Sequence, residues 1–579
     1  MKAVEGAAAG VDNAQLRKLL QEHWDYRLRN SPVWATTQGD HRFDDKLGDT
    51  SQKSIDESRT ANRRFLRRAK ALASEEFSSS DKITLSLFVE RLSNEIESEV
   101  CEFHKWMISA RGNGATAYNR LYKQHPLKTE DDGKNLIARY SQIASNVDSS
   151  LENLRSGLAI GLVANAESLK RLVSMLDGQL GKPTSEWSML DPLKTVDELA
   201  WSSGFKADFA DQLTSLVEEK VRPAIVRYRD AVKNELLPKA RGKEAEGLTG
   251  LETGKACYGA RIRSHTSLDM PAMEIHKVGL AEIAKINKEM EVLGQKLFKT
   301  KKLPRVLKRL RTDKTLYYET KEQIISDAEA AVADAKKKIP DFFGILPKAS
   351  VDVVPVPEVE APFTTIAYYW PPHADGSKNG EYYVNTYRPE IRPRYEMQVL
   401  SFHEAIPGHH LQIAISQERG ALPSFRRFGG STAFVEGWAL YTERLSEEMG
   451  LYTSDLDRMG VLSFDAWRAS RLVVDTGVHA LGWTRAQAEK FMLEHTALTE
   501  ENIANEVDRY ISTPGQALAY KLGQLEILRL RRKAEKELGD LFDIKGFHDT
   551  VLRSGAVTLP VLLDQVNEWI TELGKTRNS

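Results

Sequence analysis

A proline and a glycine, Pro407-Gly408, interrupt a run that otherwise reads as helix: Phe402-His403-Glu404-Ala405-Ile406-Pro407-Gly408-His409-His410-Leu411-Gln412. Pro407 has no N–H to give to the carbonyl of His403, and its ring crowds that turn. Gly408 takes backbone shapes that other residues resist. The pair predicts that the helix bulges or breaks between the histidines. That matters because His-Glu followed by a second His one turn later is a common way to hold zinc. The imidazoles bind the metal, and the carboxylate between them takes a proton from water. The usual spacing is four residues, whereas His409 and His410 lie six and seven residues after His403. Seven residues of straight helix rise about 10.5 Å. Two nitrogens that each sit about 2.0 Å from one ion cannot be so far apart. Six residues put the second imidazole on a poor face. A metal site here requires a distorted helix, and the distorting residues stand where the geometry needs them.

A third ligand is also required. Phe434-Val435-Glu436-Gly437-Trp438-Ala439-Leu440-Tyr441-Thr442-Glu443 reads as an amphipathic helix. Glu436 and Glu443 lie seven apart on one face, in an unusually apolar setting. Glu436 is the expected third ligand, and Glu443 an acceptor for a ligand imidazole. The competing reading is plain: a His-Glu pair is common, and His409 and His410 would serve equally well in a core or on a surface. The downstream carboxylates move the balance toward a metal.

The rest of the chain sets the context. Its 579 residues allow a large core and more than one domain. Helical apolar spacing runs through Asn13 to Arg29, Asp81 to Trp106, Asp132 to Leu158, Ala207 to Leu237 and Pro271 to Leu297. Leu190 to Trp201 reads as loop. The texture changes near Ile345. Val351 to Val359, Thr364 to Trp370 and Glu381 to Tyr387 are β-branched and aromatic, with a turn over Pro371 to Gly380, and predict a small sheet or long hairpin. Helix returns from Tyr395 onward. The expected class is mainly α with a small β-sheet near the active site, divided into a helical region 1–345 and a catalytic region 346–579. An edge strand just before the motif is suited to holding an extended peptide.

Lys+Arg total 81 against Asp+Glu 82, so the net charge of −1 gives no pull toward nucleic acid. The basic stretches Arg63 to Lys70 and Lys299 to Lys314 read as solvated helix faces. No apolar run approaches the roughly 20 residues that span a bilayer, so a soluble protein is expected. It is cytoplasmic as the sequence stands, with an exported form conceivable. Two cysteines, Cys101 and Cys257, form neither a disulfide framework nor a Cys-based zinc site.

The stretch Phe402 to Gln412, followed by Glu436-Gly437-Trp438-Ala439-Leu440-Tyr441, resembles the DUF885 family, which is grouped by this motif with zincin-like metallopeptidases. Pro32-Val33-Trp34-Ala35-Thr36-Thr37-Gln38-Gly39-Asp40 resembles its N-terminal signature, and Pro514-Gly515-Gln516-Ala517-Leu518-Ala519-Tyr520 its C-terminal one. The chain is more distantly similar to helical clamshell peptidases with a His-Glu-x-Gly-His helix. That likeness implies a clamshell with a deep central cleft, and makes His409 the second ligand and Glu436 the third, with His410 as the alternative. It also implies Tyr520 as an oxyanion donor.

The expected chemistry is hydrolysis of a peptide or small amide, with one zinc ion per chain on His403, His409 and Glu436 and Glu404 as general base. His479, on a helical face with Asp475, is a second candidate oxyanion donor. His410, Arg392, Arg394 and Arg471 are candidate substrate contacts, and an arginine gripping a carboxylate would make the enzyme an exopeptidase or dipeptidase. A zinc amidohydrolase on a non-peptide amide is the second reading, and a binding protein with a degenerate site the third. Retention of Glu404 weighs against the third, because a structural site needs no base.

Overall fold

The computed structural model describes residues 6–72, 76–108, 114–358, 361, 364–373 and 378–576. They form two compact units, Met1–Cys257 and Tyr258–Ser579.

The described part of the first unit is built from helices: α1 (Ala14–Asn30), α2 (Gln52–Ala71), α3 (Ser79–Glu97), α4 (Glu130–Ser141), α5 (Ile143–Ala159), α6 (Ala166–Leu180), α7 (Ser203–Leu216) and α8 (Arg222–Ala231). Their starts are chemically marked. Asn13, Ser51, Ser78 and Asn165 each accept a hydrogen bond from a first-turn N–H, and Thr129 forms a capping box with Asp132. The expected helix over 132–158 divides at Gln142 into α4 and α5. The expected helix over 207–237 runs on, but winds through two π-helical turns, Val217–Val221 and Val232–Leu236. Leu136, Tyr140, Val147, Leu151, Leu172, Ile225 and Tyr228 lie in its core. Cys101 and Cys257 form a disulfide, with Cα atoms 4.8 Å apart across 156 residues of sequence. The spacing carried no hint of this pairing, since it depends on the fold.

The second unit holds α9 (Ala272–Phe298), α10 (Lys321–Phe342), β1 (Val351–Pro355), β2 (Ala367–Trp370) and β3 (Gly380–Val384). These are followed by α11 (Met397–Glu404), α12 (His409–Glu418), α13 (Thr432–Glu448), α14 (Asp455–Ala480), α15 (Glu500–Ser512) and α16 (Leu518–Leu538). The strands pair in the order β1-β3-β2. β2 and β3 are antiparallel, as a hairpin requires, and β1 adds in parallel to the far edge of β3. In the expected turn over 371–380, residues 374–377 lie outside those described, as does 359 at the end of the first expected strand. A sequence boundary at 345/346 falls inside this unit, because α10 packs on β1 and α11. The centre of the unit is α14. Every residue from Met459 to His479 is buried, and α9, α11, α13 and α16 all pack against it. The chain is thus mainly α with one small sheet.

The basic stretch 299–314 is in part the helix Leu303–Thr312, which buries Leu303, Val306, Leu307 and Leu310. Arg305, Lys308 and Arg309 lie on the opposite, solvated face, as the pattern of the sequence implied, whereas Arg311 is partly buried and donates to the Leu498 carbonyl at 3.0 Å.

Candidate metal centre

The helix over the His-Glu motif breaks completely. α11 ends at Glu404; Ala405 leaves helical geometry at φ −104°, ψ −103°; and α12 begins at His409 with Gly408 before it at φ −77°, ψ −126°. The Ile406–Pro407 peptide is cis. A Cβ on Gly408 would overlap the carbonyl oxygens of His403 and Phe402, so only glycine lets the chain fold back this tightly. The turn is held from α13, where Trp438 Nε1 donates to the Pro407 carbonyl at 3.0 Å. The two helices therefore meet end to end, and the six-residue spacing closes in space.

His403, His409 and Glu436 come together, each offering a ligand atom within 4.8 Å of the others. Glu436 Oε2 lies 3.9 Å from His403 Nε2 and 3.4 Å from His409 Nε2. The two imidazole rings are nearly perpendicular, with centroids 4.8 Å apart. Glu436 Oε2 is buried and makes no well-aligned hydrogen bond; its polar neighbours are the two Nε2 atoms. A buried carboxylate oxygen is costly unless something neutralises it. Two nitrogens and one oxygen converging on one point are the protein donor set of a three-ligand zinc site, so these residues fit such an ion. His403 Nδ1 meets Glu443 Oε1 at 2.8 Å, the outer contact that fixes a ligand imidazole.

Burial sets the electrostatics. It pushes His403 well below the usual histidine range, helped by His409, Arg468 and Arg471. It raises Glu443 to about 8. Burial, with Glu436 adding to it, raises Glu404 to about 6. Burial opposes the charged forms of His409 and Glu436, yet His409 is raised and Glu436 lowered, because each stabilises the other's charge.

Two glycines bring α16 against α13. A Cβ on Gly437 would lie 2.5 Å from the backbone of Gly523, and one on Gly523 would overlap the Ala433 carbonyl. This backbone contact carries Tyr520 to the centre. Its ring lies parallel to that of His403 at 6.5 Å, its hydroxyl helps hold the charge of Glu436, and Arg509 Nη2 donates to it at 3.1 Å.

Other candidates are placed elsewhere or otherwise engaged. His410 is fully buried, with Nδ1 at 2.9 Å from Tyr369 Oη and Nε2 at 3.0 Å from the Ala349 carbonyl. Both nitrogens are thus engaged within the protein, which leaves neither for a metal or a substrate. His479 Nε2 is held by the Tyr510 carbonyl at 2.9 Å, and its face-mate Asp475 accepts from Tyr258 Oη at 2.6 Å. Arg392 donates to the Tyr387 carbonyl, and Arg394 lies over the Tyr318 ring. Arg471 alone of these stays beside the cluster, 4.3 Å over the Tyr520 ring. Sequence reasoning missed Arg468, whose Nη2 is 3.8 Å from Glu443 Oε1. Its signal was a charge three residues before Arg471 in a run whose neighbours are apolar.

Known proteins add a family and a fold. No curated protein matches the chain. A solved structure from Colwellia psychrerythraea, described as a "putative lipoprotein", is similar at 26% identity and a TM-score of 0.88, covering 96% of this chain and 99% of its own. One from Shewanella oneidensis, a lipoprotein by the same description and of unknown function, shares the fold at 20% identity and a TM-score of 0.75, covering 95% and 99%. The family model described as "Bacterial protein of unknown function (DUF885)" matches residues 32–566. With the motif, the fold and this match in agreement, the chain belongs to the DUF885 family.

Proposed function

We propose that the protein is a zinc-dependent metallopeptidase with one ion held by His403, His409 and Glu436. The observation that carries this reading is the convergence of a buried oxygen of Glu436 with the Nε2 atoms of two histidines. Zinc in that place supplies Lewis acidity toward a carbonyl oxygen and makes water a stronger acid. Glu404, next to His403 at the end of α11, takes a proton from the attacking water and returns it to the leaving amine. Tyr520, whose hydroxyl proton is shared with Glu436, would turn that proton to the oxygen on which charge develops once a metal holds the Glu436 carboxylate. Glu443 holds the His403 ring through Nδ1 and so leaves Nε2 for the metal. The zincin-like arrangement implied by the motifs rests on this same constellation.

Metal analysis of the purified protein is expected to give one zinc per chain. Glu404→Gln should keep the zinc and lose roughly 10²- to 10⁴-fold in peptide hydrolysis. Zinc without Glu404-dependent cleavage overturns the peptidase reading. Loss of zinc in His410→Ala but not in His409→Ala overturns the ligand set.

The disulfide and the lipoprotein description of two structural relatives together support an oxidising compartment outside the cytoplasm. Thiol titration of protein taken directly from its native host checks this, and two free thiols would refute it.

A further inference from the structure

We propose that Arg468 and Arg471 form a carboxylate-binding subsite beside the metal centre, and that the substrates are short peptides gripped by their free C-terminal carboxylate. The proposal rests on the peptidase reading and adds the substrate class. Both arginines are nearly inaccessible, at 4% and 2% exposure. A guanidinium has five N–H donors and keeps its charge in proteins, so a buried one needs acceptors. Arg468 lacks them: Nε and Nη1 are buried without a hydrogen-bond partner, and Nη2 reaches Glu443 only at 3.8 Å. Arg471 spends Nε on Tyr510 Oη at 3.0 Å and Nη2 on Glu506 at 2.9 Å, but Nη1 is buried without a partner. Three cationic nitrogens thus lack acceptors on two side chains one helical turn apart.

The acceptors nearby are few: Arg468 faces Glu443, Arg471 and Arg509 share Glu506, and Glu443 is itself shared with His403. The surroundings suit a planar anion. The guanidinium of Arg468 lies 4.2 Å from the ring centroids of both Phe464 and Trp467; that of Arg471 lies 4.7 Å from Trp467 and 4.3 Å from Tyr520. Aromatic faces fix the forks without using their N–H groups, which are left for a bidentate acceptor. The place is next to the reacting centre: Glu443 touches both Arg468 and His403, and Tyr520 lies between Arg471 and the His403 ring. A peptide held there by its C-terminus presents a bond close to that end.

The test compares tetra-alanine with its C-terminal amide. On the zinc-loaded wild-type protein, kcat/KM for the amide should fall by about 30-fold or more, carried mainly by KM. Calorimetry on zinc-loaded Glu404→Gln, which does not turn over, should show the acid binding tighter by the same factor. Arg468→Gln should erase the difference, and Arg468→Lys, which keeps charge but not the fork, should restore only part of it. Equal cleavage of acid and amide, dependent on Glu404, overturns the subsite and leaves the peptidase standing. Tighter binding of the acid, lost in Arg468→Gln, with no cleavage of either, upholds the subsite and overturns the peptidase. Binding of chloride without discrimination between acid and amide also overturns the proposal. The acid–amide comparison on unaltered protein keeps the test decisive should Arg468→Gln misfold.

Discussion

Arg139 in the first unit and Arg468 in the second are both buried arginines, at 0% and 4% exposure, yet their nitrogens find very different company. Arg139 Nε donates to the Lys46 carbonyl at 2.8 Å and Nη1 meets His125 Nδ1 at 3.0 Å. Nη2 is shared among Thr36 Oγ1, the Phe43 carbonyl and Asp44. It fastens the 36–46 segment to α4. Arg468 has no such set of acceptors. A buried charge costs several kcal/mol unless it is paired, so a fold that pairs one and starves the other uses them differently. The first arginine is structural. The second keeps its donors for something that arrives from outside.

The largest effect that separates them is on stability. Arg139→Met should cost about 3–5 kcal/mol, because it takes the buried cation from Asp44, which is left with His41 at its other oxygen, and leaves the Lys46 and Phe43 carbonyls without their donor. Arg468→Met should cost much less, since its ion pair with Glu443, at 3.8 Å, is long, Glu443 keeps His403 as a partner, and the substitution keeps an apolar stem. Urea unfolding of both variants decides it, and an equal loss would break the comparison.

A second contrast lies within the first unit. His23 is buried against the edges of Phe65 and Phe88, with ring centroids 5.0 and 4.9 Å away. Burial, with Arg91 and Arg27 adding to it, lowers it to about 3. Unlike arginine, histidine can shed its proton, and so it need not carry a buried charge. Above pH 6.5, His23 is neutral in the folded and unfolded states and contributes nothing. As pH falls below 6.5 only the unfolded state takes up the proton, so stability is lost at about 1.4 kcal/mol per pH unit until the folded value near 3 is reached. At pH 5 the loss is about 2 kcal/mol. His23→Leu should flatten that part of the profile, measured as urea midpoints between pH 7 and 5. An unchanged slope would show that His23 finds a partner for its charge.

The contrast also marks what a sequence can disclose. Helix limits were readable at Asn13 and Pro271, because caps and apolar spacing are local. The break at Pro407-Gly408 was readable for the same reason, and so was the grouping of His403 with a later Glu436. The state of Arg468 was not. Whether a buried nitrogen has an acceptor depends on which carbonyls and carboxylates the fold brings near, and the helix around Arg468 reads the same either way. The Cys101–Cys257 pairing and the fate of His410 were hidden likewise: Ala349 and Tyr369 engage His410 from the sheet region some forty to sixty residues upstream.

The smallest change in stability should come from Glu443, and there the comparison is at its sharpest. Glu443 meets both His403 and Arg468, and Tyr452 Oη donates to its backbone carbonyl at 2.7 Å rather than to its side chain. Its Oε2 is buried without a partner. Glu443→Gln keeps the shape and an oxygen for His403 Nδ1 but removes a group that burial, by raising it to about 8, keeps largely neutral at pH 7 and that can ionise when a cation arrives. Folding stability should therefore change by less than about 1 kcal/mol near pH 7, because a neutral carboxyl and an amide make similar contacts. Metal binding should suffer more. An amide oxygen orients and polarises a ligand imidazole less than a carboxylate does, and loss of such an outer contact weakens metal affinity by about 10- to 100-fold. Zinc competition with a chromophoric chelator, read beside urea unfolding, separates the two quantities. If both fall together, Glu443 is a structural group like Asp44 in the first unit. If affinity falls alone, the buried charges around His403 are held at the expense of stability and serve the metal and its ligand.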